Sequence, residues 1–271
     1  MSWRRLPITQ VDAFADRAFT GNPAAVMPLD EWLSDTVLLS IAAENNLSET
    51  AFLVPDQESE ADYELRWFTP ATEIALCGHA TLASGHVLLT AAPWRDAMTF
   101  RTRKAGMLRV ARDGDEGYRM EVPAYSPGPR PLPEIAQAVG EPPVETLWHP
   151  ERYALLVYDS ASVVRALTPD FGALRALGNI QVIATAPGAG DASGADVVSR
   201  VFVPGAGVDE DPVTGSAHCV LTPYWSARFG RDSFAAYQAS ARGGHVGCRL
   251  DRGAVELVGK CVTTLTGEFL L

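Results

Sequence analysis

Four residues of this chain have the chemistry to move or steer protons, and all lie where apolar segments begin. Glu49, in Asn46-Leu47-Ser48-Glu49-Thr50-Ala51-Phe52, stands just ahead of an apolar strand. A partly buried carboxylate there is expected to have a raised pKa, toward the range of a general acid or base. Its other reading is a helix-end or capping role with Ser48. His79 opens an apolar run of helical spacing in Cys77-Gly78-His79-Ala80-Thr81. Its ring either projects into a cleft or bonds the backbone at a helix start. Asp211 and Ser216 bracket the loop Asp209-Glu210-Asp211-Pro212-Val213-Thr214-Gly215-Ser216. Acids in this loop either cap a helix or crowd one another so that one stays protonated and donates. Gly78 and Gly215 carry no Cβ, so a ligand can approach their backbone closely. Cys77 sits where a helix N-terminus lowers a thiol's pKa. Cys219 reads as packing inside a helix.

These residues sit in a pattern that the chain uses twice. Arg66-Trp67-Phe68-Thr69-Pro70 is followed, after a loop, by Gly78-His79-Ala80. Arg200-Val201-Phe202-Val203-Pro204 is followed, after a longer loop, by Gly215-Ser216-Ala217. A strand–loop–helix unit in each half predicts two similar domains. It also predicts two helix N-termini, facing each other across one cleft, whose free N–H groups suit small anions.

The elements around them read as many short strands with one long helix per half. Alternation predicts strands over 6–13, 24–27, 47–55 and 62–69, a helix over 30–45, and another over 81–90. Three strands follow over 98–121, with turns at Lys104-Ala105-Gly106 and Asp113-Gly114-Asp115. Prolines crowd 123–133, the best linker position. Short helices are expected at 135–139 and 171–177. Strands are expected at 153–158, 180–186, 195–203, 233–238 and 246–250, with two or more closing strands in 254–269. Long βα alternation is missing, which argues against a Rossmann-type sheet.

Bulk properties narrow the function further. A net charge of −11 disfavours a nucleic-acid partner. Only Lys104 and Lys260 are lysines, and neither has a site-like context for Schiff-base chemistry. Cys77, Cys219, Cys248 and Cys261 are too few for a disulfide scaffold and lack zinc spacing, so reduced thiols, a cytoplasmic setting and no metal are expected. Met1-Ser2-Trp3-Arg4-Arg5-Leu6-Pro7 has no apolar signal-peptide core, and no run is long enough to span a membrane. Dinucleotide, Walker and nucleophile-elbow signatures are absent.

Val11-Asp12-Ala13-Phe14, Phe19-Thr20-Gly21-Asn22-Pro23, Asn46 to Phe52, Cys77 to Thr81 and Glu210 to Ala217 together resemble the PhzF family of phenazine biosynthesis, which is related to diaminopimelate epimerase. The motifs run in the family's order over nearly the whole chain. The resemblance implies an α+β fold of two pseudo-two-fold related domains, each a mostly antiparallel, barrel-like sheet around a central helix. Residues 1–122 with a C-terminal strand at 260–271 would form one domain, and 123–259 the other. It further implies an active site between the domains, no cofactor, a small anionic substrate and a homodimer. In the family's isomerase a glutamate moves a proton between ring carbons of trans-2,3-dihydro-3-hydroxyanthranilate. By motif that glutamate is Glu49, supported by His79, Asp211 and Ser216, with Asn22, Gly78, Thr214 and Gly215 holding the anion. The related epimerases use one cysteine per half. Cys77 matches the first, and the second position falls at or near Thr214.

The expected function is a cofactor-independent isomerase that moves a proton between carbons of a small carboxylic acid. Two alternatives stand beside it. One is an amino-acid epimerase or racemase using Cys77 with Glu49 or Asp211. The other is a non-catalytic ligand-binding module of the same fold.

Overall fold

The computed structural model describes residues 4–114 and 117–271. Met1, Ser2 and Trp3 of the opening stretch, and Asp115 of the expected turn, lie outside the described residues. The chain is α+β and falls into two compact units, Met1–Glu121 with Val258–Leu271, and Val122–Leu257. Among the described residues no helix is long and apolar enough to cross a membrane.

In the first unit β1 (Arg5–Ala13) pairs antiparallel with β2 (Asn22–Pro28). The turn between them needs glycine: Gly21 has φ +66°, and a Cβ there would lie 2.2 Å from the Ala13 carbonyl oxygen. That turn delivers Asn22, fully buried, as the first residue of β2. Helix α1 (Asp35–Asn45) then crosses to β3 (Glu49–Pro55), which runs parallel to β2. The helix ends at Asn46 in a left-handed C-cap. Asparagine tolerates that conformation, and the sharp exit makes Glu49 the first residue of the strand. The spacing predicts this helix from residue 30, yet it begins at Asp35. Trp32 Nε1 donates to Glu64 Oε2 at 2.8 Å and holds the preceding segment outside the helix.

β4 (Tyr63–Phe68) pairs antiparallel with β3, and the short β5 (Glu73–Ile74) returns along it. Helix α2 (Gly78–Ala91) leads to β6 (Ala97–Thr102), parallel to β4, and then to β7 (Met107–Asp113) and β8 (Gly117–Pro123) in a meander. α2 packs against β1, β2, β3, β6 and β7. Every residue from His79 to Gly85 is buried, as a helix enclosed by sheet requires. α1 instead covers the outside, with Leu38 and Ile41 packed on Met27, Phe52 and Phe68.

The second unit repeats this succession. After β9 (Gly128–Pro129) and α3 (Pro133–Val139), β10 (Glu145–His149) pairs antiparallel with β11 (Tyr153–Val157). Two short helices, α4 (Ala161–Ala166) and α5 (Phe171–Ala176), lead to β12 (Gln181–Pro187), parallel to β11. β13 (Val197–Val203) pairs antiparallel with β12, and β14 (Val208–Asp211) returns along it. Helix α6 (Gly215–Phe229) leads to β15 (Ser233–Gln238), parallel to β13, and β16 (Gly244–Asp251) pairs antiparallel with β15. Strand for strand, β10–β16 copy β1–β7, and α6 copies α2. β10 and α4 are not evident from the sequence pattern, because β10 buries only Leu147 and α4, at six residues, makes fewer than two turns.

β17 (Ala254–Leu270) corrects the expectation of several closing strands: it is a single strand of 17 residues. From Cys261 onward it pairs antiparallel with β1, with a bulge at Gln10/Val11. The bulge lets one uninterrupted strand follow the twist of the sheet.

Candidate active site

Each Arg-x-Phe-x-Pro motif has the same local role. Arg and Phe are two apart on a strand, so they share a face. Arg66 makes two hydrogen bonds to Glu73 of β5, both at 2.8 Å, and lies 5.0 Å over the Phe68 ring. Arg200 makes two to Glu210 of β14, both at 2.7 Å, and lies 5.0 Å over the Phe202 ring. Each fork pins the short return strand that feeds the following helix, and so fixes where that helix begins.

At the start of α2 four side chains converge. Glu49 Oε2 lies 2.9 Å from His79 Nε2, with side-chain exposures of 14% and 5%. Among the described residues no donor is aligned with that oxygen, so the contact is chiefly one of charge. The Asn22 amide meets His79 Nδ1 at 3.1 Å, and Cys77 Sγ lies 3.5 Å from the same nitrogen. The ring therefore contacts side chains from β2, β3 and its own helix cap, and the backbone-bonded reading of His79 does not hold. Glu49 is likewise no cap, since α1 has already ended at Asn45.

Burial alone would lower the His79 pKa, but the charges of Cys77 and Glu49 outweigh it and raise the pKa well above its ordinary value. Burial first, then Glu49, pushes the Cys77 thiol up to about 11. That corrects the expectation of an acidic thiol, because desolvation overrules the helix N-terminus. A thiol protonated near neutrality leaves the Glu49 carboxylate as the charge that acts on His79. The raised pKa favours an imidazolium, whose Nδ1–H the Asn22 amide accepts with Oδ1 after a half-turn.

The second unit holds the same arrangement in neutral residues. Gln181 opens β12 as Glu49 opens β3. Thr214 is the N-cap of α6 as Cys77 is of α2, and Ser216 stands second in its helix as His79 does. Ser216 Oγ donates to Gln181 Oε1 at 3.1 Å. The buried Nε2 of Gln181 has no hydrogen-bond partner among the described residues. Even the fourth residue after each cap is matched. Thr81 Oγ1 donates to the Cys77 carbonyl at 2.6 Å, and His218 Nδ1 donates to the Thr214 carbonyl at 2.8 Å. Burial pushes His218 down to about 4.

The acids of the second loop do not share a site, contrary to the crowding expected of them. Asp209 pairs with Arg175 and Glu210 with Arg200. Asp211, at the end of β14, accepts from the Thr214 hydroxyl. None caps α6 through its side chain. Gln238, fully buried, clamps the loop: its Oε1 accepts from Thr214 N at 2.9 Å, and its Nε2 donates to the Asp211 carbonyl at 2.7 Å. Gln181 and Gln238 escape a sequence search for titratable groups. Gln181 was findable as the polar residue that opens the apolar strand ahead of the second motif, Glu49's place ahead of the first.

Within the first unit Glu49, His79, Asn22 and Gly78 thus come together. Within the second, Asp211, Thr214, Gly215 and Ser216 do. For a metal, the donor atoms of Glu49, Cys77 and His79 lie within 4.8 Å of one another, a grouping that spacing along the chain does not reveal.

The family model described as PhzC-PhzF, phenazine biosynthesis-like protein, matches residues 11–267. An uncharacterized isomerase of Pseudomonas aeruginosa is 46% identical over 268 residues, covering 98% of this chain and 99% of its own. The crystal structure of a phenazine biosynthesis protein of the PhzF family from Enterococcus faecalis superposes with a TM-score of 0.90 at 41% identity, covering 99% of this chain and 100% of that one. A predicted epimerase of Pseudomonas aeruginosa shares the fold at 21% identity, with a TM-score of 0.75 and coverage of 99% and 100%.

Proposed function

This chain belongs to the PhzC-PhzF family of phenazine biosynthesis-like proteins, and on that premise we propose that it is a cofactor-independent isomerase with Glu49 as its single proton carrier. The Glu49 carboxylate takes a proton from a carbon beside a carbonyl, enol or conjugated carboxyl group. The electron pair moves into the conjugated system, and the Glu49 carboxyl returns the proton to another carbon on the same face. The His79 imidazolium offsets the negative charge of the resting carboxylate. Free N–H groups at the start of α2 bind the substrate's anionic oxygen. The roles of Asp211, Thr214, Gly215 and Ser216 toward the same substrate rest on the family resemblance. Positioned proton transfer supplies about 10²–10⁴-fold, or roughly 3–5 kcal/mol of barrier.

One observation carries this reading: the contact duplicated in the two units is ionisable in only one of them. A two-base epimerase needs a proton carrier in each half; where the first has Glu49, Cys77 and His79 the second offers Gln181, Thr214 and Ser216, and its one nearby carboxylate, Asp211, is engaged by the Thr214 hydroxyl. Incubation in D₂O with a panel of cyclic and amino acids tests it. Deuterium appearing at a new carbon supports the isomerase. Inversion at one carbon replaces it with the epimerase, and no exchange with any acid replaces it with a binding module.

A further inference from the structure

Cys77 is the nucleophilic group of the first cluster, and the proposed reaction does not use it. It is buried, it lies against His79, and the two ring nitrogens stand 3.5 and 3.9 Å from its sulfur. With Glu49 it completes a set of three different donors, a thiol, an imidazole and a carboxylate, drawn from two separate segments.

We propose that Glu49, Cys77 and His79 form a binding site for a thiophilic divalent cation, zinc above all, which locks Glu49 and so inhibits the protein. The distances suit the ion. A tetrahedral zinc with bonds of about 2.3 Å to sulfur and about 2.0 Å to nitrogen or oxygen sets sulfur and nitrogen about 3.5 Å apart, and nitrogen and oxygen about 3.3 Å apart. Here Sγ to Nε2 is 3.9 Å and Nε2 to Oε2 is 2.9 Å. These two pairs stand about 0.4 Å from the tetrahedral separations. The third, sulfur to carboxylate, lies within 4.8 Å, and because the sulfur is nearer Nδ1 than Nε2 the ring turns to aim Nε2 at the ion. Three protein donors leave the fourth position to water or to a ligand's oxygen.

Charge and protons also balance. The thiol proton and the Nε2 proton of the imidazolium leave to solvent as the sulfur–metal and nitrogen–metal bonds form. The thiolate and carboxylate together neutralise the dication, so no net charge is buried. His79 keeps its Nδ1 proton, and the Asn22 amide, turned by a half-turn to present Oδ1 instead of Nδ2, accepts it as the outer partner of a metal-bound histidine. Because two protons must leave, affinity rises with pH.

Cobalt(II) reports on this site without reference to turnover. The full chain, reduced and stripped with a chelator, should bind one cobalt with a thiolate-to-metal charge-transfer band and the strong visible absorption of a four-coordinate ion. One equivalent of zinc should displace it. Cys77→Ser, nearly isosteric, should abolish the charge-transfer band. His79→Ala, with its thiol intact, should lose the four-coordinate spectrum, and Asn22→Ala should weaken zinc binding about 10–100-fold. Circular dichroism melts verify that each variant folds. Absence of the band in the wild type, or its survival in Cys77→Ser, would overturn the site. A protein that binds cobalt here yet never exchanges deuterium keeps the metal site and loses the isomerase.

Discussion

Glu49→Gln separates proton chemistry from shape, and its consequences extend beyond turnover. Glutamine keeps the volume and the place at the head of β3 but cannot accept a proton. Turnover of the best exchanging acid should fall at least about a hundredfold, with binding retained. The substitution also removes the carboxylate 2.9 Å from His79 Nε2. In the wild type the His79 pKa is raised, so its protonation stabilises the fold below the unfolded value of about 6.5, and that stability is lost as pH rises through the folded pKa. In the variant Cys77 alone is left to oppose burial, so the His79 pKa falls relative to the wild type. Protonation of His79 then stabilises the variant less than the wild type as pH drops. The stability gap between the two proteins should therefore widen on going from about pH 9 to about pH 5, by roughly 1.4 kcal/mol for each unit by which their His79 pKa values differ. Thermal or urea unfolding across that range reads it directly. Near-normal turnover would remove Glu49 as the base. A gap that is flat with pH would show that Glu49 does not control the charge on His79.

Gln181→Glu puts a carboxylate where the second unit has an amide, replacing a buried donor by an anion. Affinity for the exchanging acid, followed by calorimetry, should drop at least about tenfold through like-charge repulsion, and an unchanged affinity would separate Gln181 from the substrate. Cys77→Ala should cost on the order of 1–2 kcal/mol of stability and little turnover. A loss as deep as that of Glu49→Gln would instead favour the epimerase. Gly85→Ala places a Cβ about 2.4 Å from Val110 Cγ1 and should destabilise by roughly 1–3 kcal/mol. Val110→Ala in the same chain should recover part of that loss, and no recovery would locate the strain elsewhere.

The residues legible in the sequence were those whose chemistry is visible by type. Glu49 and His79 are titratable groups at apolar borders, and the repeated Arg-x-Phe-x-Pro carries the two-unit plan. What the sequence hid depends on partners far along the chain. Gln181 looks inert until its place at the head of β12 is set beside that of Glu49 in β3. Cys77 at a helix start suggests an acidic thiol, and only the enclosure of α2 reveals the desolvation that reverses it. The start of α1 moved because Trp32 is tied to Glu64, which no helical periodicity records. The acids of 209–211 looked crowded because they are adjacent in sequence, whereas alternation along β14 and separate arginines keep them apart.

The pairing of β1 with the end of β17 bears on how the protein is made. Residues 5–13 leave the ribosome long before their partners, residues 261–270. Until β17 emerges, β1 has β2 on one side and an open edge on the other, of the kind that recruits foreign strands. The second unit, continuous from Val122 to Leu257, has its whole sequence available earlier. The unit begun first is thus closed last. A stop codon or a cleavage just before Cys261 would strip β1 of its partner along a whole edge of the unit that carries Glu49 and His79, far from either residue in sequence.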